Sequence, residues 1–339
     1  GNERICGGHE KYPGTSVIES EAASMLLSAS RRTDIPNYYS EWLARRFRAG
    51  FLCVRNPMNF RQVSRIALNP NVIDCIVFWT KNPAPMLPYL DEYRRYMYYF
   101  QFTLTGYGKD IEPGLPDKRR ILIPAFCELA DRIGRDRVIW RYDPIFLSDH
   151  YTLDYHVKAF TRIAEALAGR TRRVVISFLD DYEKTKRNMK GINIQGLTKE
   201  KMRRLAHSFA VIAGRYGMEI QTCAEKIDLS EYGITHGACI DREYIEHLLG
   251  CRLRAGKDHG QRPECRCMES VEIGSYHTCR NGCRYCYANF SDGRVQARIR
   301  DFDVDSPILC GKMESEDRIT ERKMKTLREN QMTLEDYFS

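Results

Sequence analysis

The 339-residue chain contains no apolar run of about eighteen residues or more, so nothing in it reads as a membrane-spanning helix. Residues 1–24 also lack the continuous apolar stretch of a secretory signal. They read as a flexible leader before a strongly patterned segment that begins near Met25. No Gly-x-Gly-x-x-Gly turn follows any strand-like run, which argues against the dinucleotide-binding form of an open doubly wound sheet. An even cysteine framework in a short secreted scaffold is missing too. The cysteines number thirteen, an odd count, in a long chain without a signal, so a disulfide scaffold is excluded and a cytoplasmic setting expected. Reduced thiols then serve as metal ligands or as buried apolar filler. Their distribution favours ligands, since six fall between Cys251 and Cys286 while the first two hundred residues hold four.

Hydrophobic residues make up 43% of the chain, ample for a large core. The formal charge is +8, but its basic groups, such as Arg45–Arg46 and Arg94–Arg95, are dispersed along the sequence. Solvated helix faces account for such pairs, and a nucleic-acid partner is allowed without being required.

Short β-branched or aromatic runs recur at 25–30, 51–56, 74–80, 98–104, 137–142, 174–179, 218–223 and 270–274. Several are apolar on both faces, as parallel strands covered by helices are. Helical patterns fill the intervals, and Gly50, Gly134, Gly169 and Gly217 stand where helices should stop. Eight strands alternating with helices predict an α/β fold, a TIM-like βα barrel, complete or partial, over residues 25–300, with 301–339 as a C-terminal extension. Polar residues gather after the strand ends: Ser28, Ser30, Arg31, Arg32 and Asp34, then Arg55, Thr80, Lys81, Arg141, Asp143, Asp180 and Asp181. In a βα barrel these positions ring the mouth where ligands bind. The arginines among them suit a carboxylate- or phosphate-bearing substrate.

Within the cysteine-rich region 223–290, two constellations stand out. Cys279-x3-Cys283-x2-Cys286, with Gly282 allowing a tight turn, suits three irons of a cubane whose fourth iron stays open. A structural zinc needs four closed ligands, and His277 or Cys267 would have to supply the fourth. Upstream, Cys223, Cys239, Cys265 and Cys267 are sufficient for an all-cysteine [4Fe–4S] site or a four-cysteine zinc. Cys53 and Cys75 alternate with apolar neighbours and Cys127 sits in a helical pattern, so packing is their expected role.

The string Cys279-Arg-Asn-Gly-Cys283-Arg-Tyr285-Cys286-Tyr-Ala resembles the cluster motif of radical S-adenosylmethionine enzymes, most of all their spore-photoproduct-lyase-like branch. From Met25 onward the chain also resembles a family of uncharacterised proteins, DUF1848, through Ser28 to Pro36 (SASRRTDIP), Val54 to Pro57 (VRNP), Phe78 to Pro83 (FWTKNP) and Arg141 to Pro144 (RYDP). Residues 319–325 (ITERKMK) also fit.

The resemblance implies a [4Fe–4S] cluster on Cys279, Cys283 and Cys286 that binds and cleaves S-adenosylmethionine, an electron donor such as flavodoxin or ferredoxin, and Tyr285 beside the adenine. Enzymes of that kind carry the motif after their first strand, whereas here it follows the last. The resemblance therefore implies a circularly permuted barrel, with 270–274 in the first slot and Met25 to Asp34 in the second. That second slot normally supplies a Gly-Gly-Glu-like stretch, absent here. By position Ser28, Ser30, Arg32 and Asp34 would replace it, Asp34 toward the ammonium and an arginine toward the carboxylate. Asp34 as the N-cap of a helix opening at Ile35-Pro36 is the alternative. Two rival functions remain open: a zinc-stabilised nucleic-acid-binding module, and an iron–sulfur electron carrier without S-adenosylmethionine chemistry.

Overall fold

Strands that are apolar on both faces need cover on both sides, and seven of those expected meet it in one sheet. The computed structural model describes residues 18–19, 26–179, 183–289 and 291–329. Asp180, Asp181 and the leader apart from Ile18–Glu19 lie outside them.

The strands are β1 (Ile18–Glu19), β2 (Leu26–Ala29), β3 (Phe51–Asn56), β4 (Asn59–Ala67), β5 (Cys75–Thr80), β6 (Tyr98–Thr103) and β7 (Val138–Ile145). They continue as β8 (Leu147–Ser148), β9 (Arg173–Phe178), β10 (Ile194–Gln195), β11 (Glu219–Cys223), β12 (Thr235–Gly237), β13 (Val271–Glu272) and β14 (Arg318–Glu321). The α-helices are α1 (Ile35–Tyr38), α2 (Ser40–Ala49), α3 (Ile123–Ile133), α4 (Leu153–Ala166), α5 (Glu183–Asn188), α6 (Lys199–Arg215), α7 (Arg242–Leu249) and α8 (Asp292–Arg300).

Eight strands form one sheet in the order β12-β11-β9-β7-β6-β5-β2-β13, every pairing parallel. The last strand, β13, therefore lies beside the first, β2, with Val271 opposite Leu27. From that edge the sheet runs in sequence order, as the placement of 270–274 beside Met25 to Asp34 anticipated. The expected barrel is nevertheless not closed, because among the described residues no ladder joins β12 to β13. The sheet is strongly curled all the same. Leu26, Val77, Tyr99, Ile139, Val175 and Cys223, from six strands, share one buried cluster with Cys239, Ile240 and Ile245. Across that interior the Tyr99 hydroxyl and Gln101 Nε2 donate to the Cys239 carbonyl at 2.7 and 2.8 Å.

The opposite face packs under helices. Phe102 stacks on Phe126 of α3 at 4.9 Å, and Phe160 of α4 on Phe209 of α6 at 4.1 Å. Fully buried aromatic side chains of this size contribute on the order of 2 kcal/mol each. The four anticipated helix stops hold, with Gly50, Gly134, Gly169 and Gly217 all at positive φ. The segment Ala84–Tyr93 forms a 3-10 helix instead of the expected α-helix. Pro85 and Pro88 lack the N–H groups an α-helical ladder needs.

One strand was misplaced. Phe51–Asn56 was expected in the barrel, yet β3 pairs antiparallel with β4 through a short turn at Pro57–Met58. With β1 and β14 these strands form a separate sheet in the order β1-β14-β4-β3. Arg55 accordingly pairs with Asp317, next to that sheet.

Candidate functional site

Parallel strands place their C-terminal ends on one rim, and here that rim opens on a cavity of about 1370 Å³. Cys279, Cys283 and Cys286 line it together with Cys223, Cys239, Cys265 and Cys267, so both cysteine constellations face the same space. Ser30, Arg32, Asp34 and Tyr285 line it too. Ser28 does not. Its hydroxyl is buried and donates to Glu272 Oε2 at 2.6 Å, tying β2 to β13.

The motif follows β13, with Cys279 five residues after Gly274, and its path is set by close contacts. A side chain at Gly114 would lie 2.5 Å from the carbonyl oxygen of Arg280 and 2.7 Å from that of Asn281, so the two backbones can meet only because position 114 is glycine. Gly282 turns the chain at φ +64°. Asp34 holds the loop from the other side. Its carboxylate accepts from Asn281 Nδ2 (3.0 Å), Thr80 Oγ1 (2.7 Å), Lys81 N (2.8 Å) and Asn37 N (3.1 Å). Asp34 is thus the N-cap of α1 and the junction of β2, β5 and the motif, with four donors from the chain itself. Burial raises its pKa against the pull of those donors. Ser30 Oγ accepts from Arg32 N and Thr33 N, and the Arg32 guanidinium lies 4.7 Å from the Tyr276 ring.

Beneath Cys283 lies a buried charge network that sequence reasoning missed. Glu112 accepts from Lys81 Nζ at 2.9 Å, Lys118 Nζ at 2.5 Å and Thr105 Oγ1 at 3.0 Å. The Tyr285 hydroxyl donates to the same carboxylate and accepts from Lys81 Nζ at 2.7 Å, and its ring packs 5.9 Å from Tyr107. Burial works to raise the Glu112 pKa, but the ammoniums of Lys81 and Lys118 hold it down to about 2. Burial pushes the Cys283 thiol up to about 12, opposed by the charge of Lys81. Burial raises Cys279 and Cys286 as well. These thiols ionise only when a cation compensates them. Glu112 sits in a Gly- and Pro-rich loop with no motif. The signal that was available is Glu272, an acid inside the apolar run Val271-Glu272-Ile273, which accepts from Ser28, Arg31 N and Gly274 N.

In the upstream group the Cys223 and Cys239 sulfurs are 3.0 Å apart. Cys267 is in side-chain contact with both Cys239 and Cys265. Arg141 Nη1 donates to Cys239 Sγ at 3.0 Å while its other nitrogens hold Asp143. Donation from Cys223 and Cys267, with the guanidiniums of Arg141 and Arg31, lowers the Cys239 pKa against its burial, and donation from Cys267 lowers that of Cys265. Among the described residues no three His, Cys, Asp or Glu side chains surround a common point as ligands of a single ion. Cys53 and Cys75 are buried in strands and Cys127 is half-buried on α3, as expected of filler. No helix among the described residues is long and apolar enough to cross a membrane.

A solved structure from Bacteroides thetaiotaomicron VPI-5482, provisionally assigned as an alpha-L-fucosidase, is similar over 74% of this chain and 99% of its own, at 10% identity and a TM-score of 0.27. That likeness is too slight to bear on fold or activity. No curated protein matches the chain. A family model does, over residues 26–288, which takes in the whole eight-stranded sheet and the motif: the chain belongs to DUF1848, a domain of unknown function.

Proposed function

We propose that this protein is a radical S-adenosylmethionine enzyme built on a circularly permuted, partial βα barrel. The observation that carries the reading is the parallel pairing of β13 with β2, which sets the Cys279–Cys286 loop at the strand-end rim. In sheet order, the motif then follows the first strand.

Cys279, Cys283 and Cys286 are the three residues that would hold the cluster, leaving one iron without a protein ligand. Their donor chemistry fits: three thiols on one tight loop, Cys283 buried and Cys279 and Cys286 half-buried, with the Lys81 ammonium beside Cys283. Bound there and reduced by an external electron donor, a [4Fe–4S] group would supply the electron for reductive cleavage of S-adenosylmethionine and so the radical chemistry on a substrate.

The chain's own part is placement and shielding. Asp34 and Asn281 fix the loop against β5, and Glu112 holds Lys81 beneath the thiols. Tyr285 is turned into that network, so its role is to seat the loop. Arg32 remains the residue for a carboxylate at the rim, and Ser30 positions it by accepting from its backbone N–H. The substrate occupies the same cavity, and the reading expects a reducing cytoplasm, where free thiols persist.

The test is anaerobic reconstitution with iron and sulfide, followed by electron paramagnetic resonance of the reduced protein with and without S-adenosylmethionine. The reading expects the ligand to alter the spectrum, and the change to vanish in Cys283→Ala. An iron-loaded protein whose spectrum ignores S-adenosylmethionine would be an electron carrier, and a colourless zinc protein would overturn the reading altogether.

A further inference from the structure

We propose that Cys223, Cys239, Cys265 and Cys267 hold a metal centre of their own, a four-thiolate iron–sulfur cluster or zinc, and that this centre joins the two edges of the open sheet. The ligands come from both sides of the seam. Cys223 ends β11 and Cys239 follows β12, whereas Cys265 and Cys267 precede β13, the strand at the opposite edge. Isolated contacts span the gap there in place of a ladder: Met268 N donates to the Ile240 carbonyl at 3.0 Å, Ile240 N to Cys267 Sγ at 3.5 Å, and Arg266 Nη1 to the His236 carbonyl at 3.4 Å. A metal centre at this point would replace the strand pairing that the sheet lacks.

Packing alone does not account for the group. All four thiols are buried, at 9% exposure or less, and they touch in the sequence 223, 239, 267, 265. Thiols are weak hydrogen-bonding groups, so four of them in mutual contact gain little from one another, although apolar neighbours surround them. The surroundings supply donors for a sulfur-rich anion. Arg141 donates to Cys239, and Arg31, beside Cys239, Cys265 and Cys267, keeps a buried Nη2 without a hydrogen-bond partner. Four thiolates require a multivalent cationic core, and guanidinium N–H groups stabilise the net charge that remains.

Four cysteines suit a [4Fe–4S] core or a single tetrahedral zinc, and metal and sulfide counts tell the two apart. The thiols line the same 1370 Å³ cavity as the motif thiols, so the centre adjoins the proposed reaction site.

The test uses full-length Cys279→Ala/Cys283→Ala/Cys286→Ala protein, which leaves the second group intact. After anaerobic reconstitution it should retain one centre per chain, counted as about four iron with four sulfide or as about one zinc without sulfide. Chelation of that metal should lower its melting temperature. Cys265→Ser/Cys267→Ser, in the otherwise native chain, should lose the same metal. A folded triple variant carrying no metal would overturn the proposal, as would one whose melting temperature ignores chelation. The motif reading fails on a different result, a native protein holding no more iron than the triple variant.

Discussion

Glu112→Gln removes the one negative charge between two buried ammoniums, and its cost can be worked out in two ways. Glu112 is 2% exposed and pairs with both Lys81 and Lys118. Breaking a buried ion pair by removing one partner costs about 3–5 kcal/mol, because the charge left behind is uncompensated. The carboxyl gives the same scale. Its pKa falls from the ordinary 4.5 to about 2 in the fold, a gap worth about 3 kcal/mol. Because the folded value is the depressed one, this stability is fully present above about pH 4.5 and is lost as pH falls toward 2. For a chain of this length about 1 kcal/mol shifts the melting temperature by roughly 1–2 °C, so the variant should melt about 4–7 °C lower at pH 7. Circular dichroism melts at pH 7 and pH 3 check both parts. The difference should narrow by about 2 kcal/mol at pH 3, where part of the native carboxylate's advantage has gone. Adding Lys118→Met should recover part of the loss. A shift below about 1 °C at pH 7, or one equal at both pH values, would refute the reasoning.

His156 is buried between the Tyr142 hydroxyl and the Phe146 carbonyl, and burial lowers its pKa to about 4. The unfolded chain therefore binds its proton first, and urea titrations should show about 2 kcal/mol lost between pH 7 and pH 5, a loss absent from His156→Gln. Gly114→Ala sets a methyl group 2.5 Å from the Arg280 carbonyl oxygen, where only backbone can move. It should cost about 1–3 kcal/mol in chemical denaturation and lower iron uptake at the motif. Asn281→Ala removes the amide that donates to Asp34 and accepts from Asn37 and Tyr38. Iron retention against a chelator should fall several-fold, while Asn82→Ala, which loses bonds to Asn37 and to the Ala84 N–H but none to the motif loop, should keep most of it.

Strands β2, β5, β6, β7, β9, β11 and β13 were legible because buried parallel strands are apolar throughout. The neighbouring of β13 and β2 was legible from where the motif falls in the chain. β3 misled because Phe51–Asn56 is as apolar as a central strand. Its partner β4 is mostly exposed at its start, and the turn at Pro57–Met58 carries no Asn-Gly signal. β12, three residues reading Thr-His-Gly, gave no pattern at all. Seven cysteines named from spacing do face one cavity. Asp34 as a helix N-cap was legible from Asp34-Ile35-Pro36, but its bond to Asn281 and that of Ser28 to Glu272 were not, since those partners lie more than two hundred residues away. Glu112 was hidden for the same reason: its meaning depends on Lys81 and Tyr285, which only the fold brings to it.

The central claim is that the Cys279, Cys283 and Cys286 loop supports reductive cleavage of S-adenosylmethionine. Reconstituted protein, reduced with dithionite under anaerobic conditions, should release 5′-deoxyadenosine and methionine, and Cys283→Ala should release neither. Fully iron-loaded native protein that yields no more 5′-deoxyadenosine than Cys283→Ala would contradict the account.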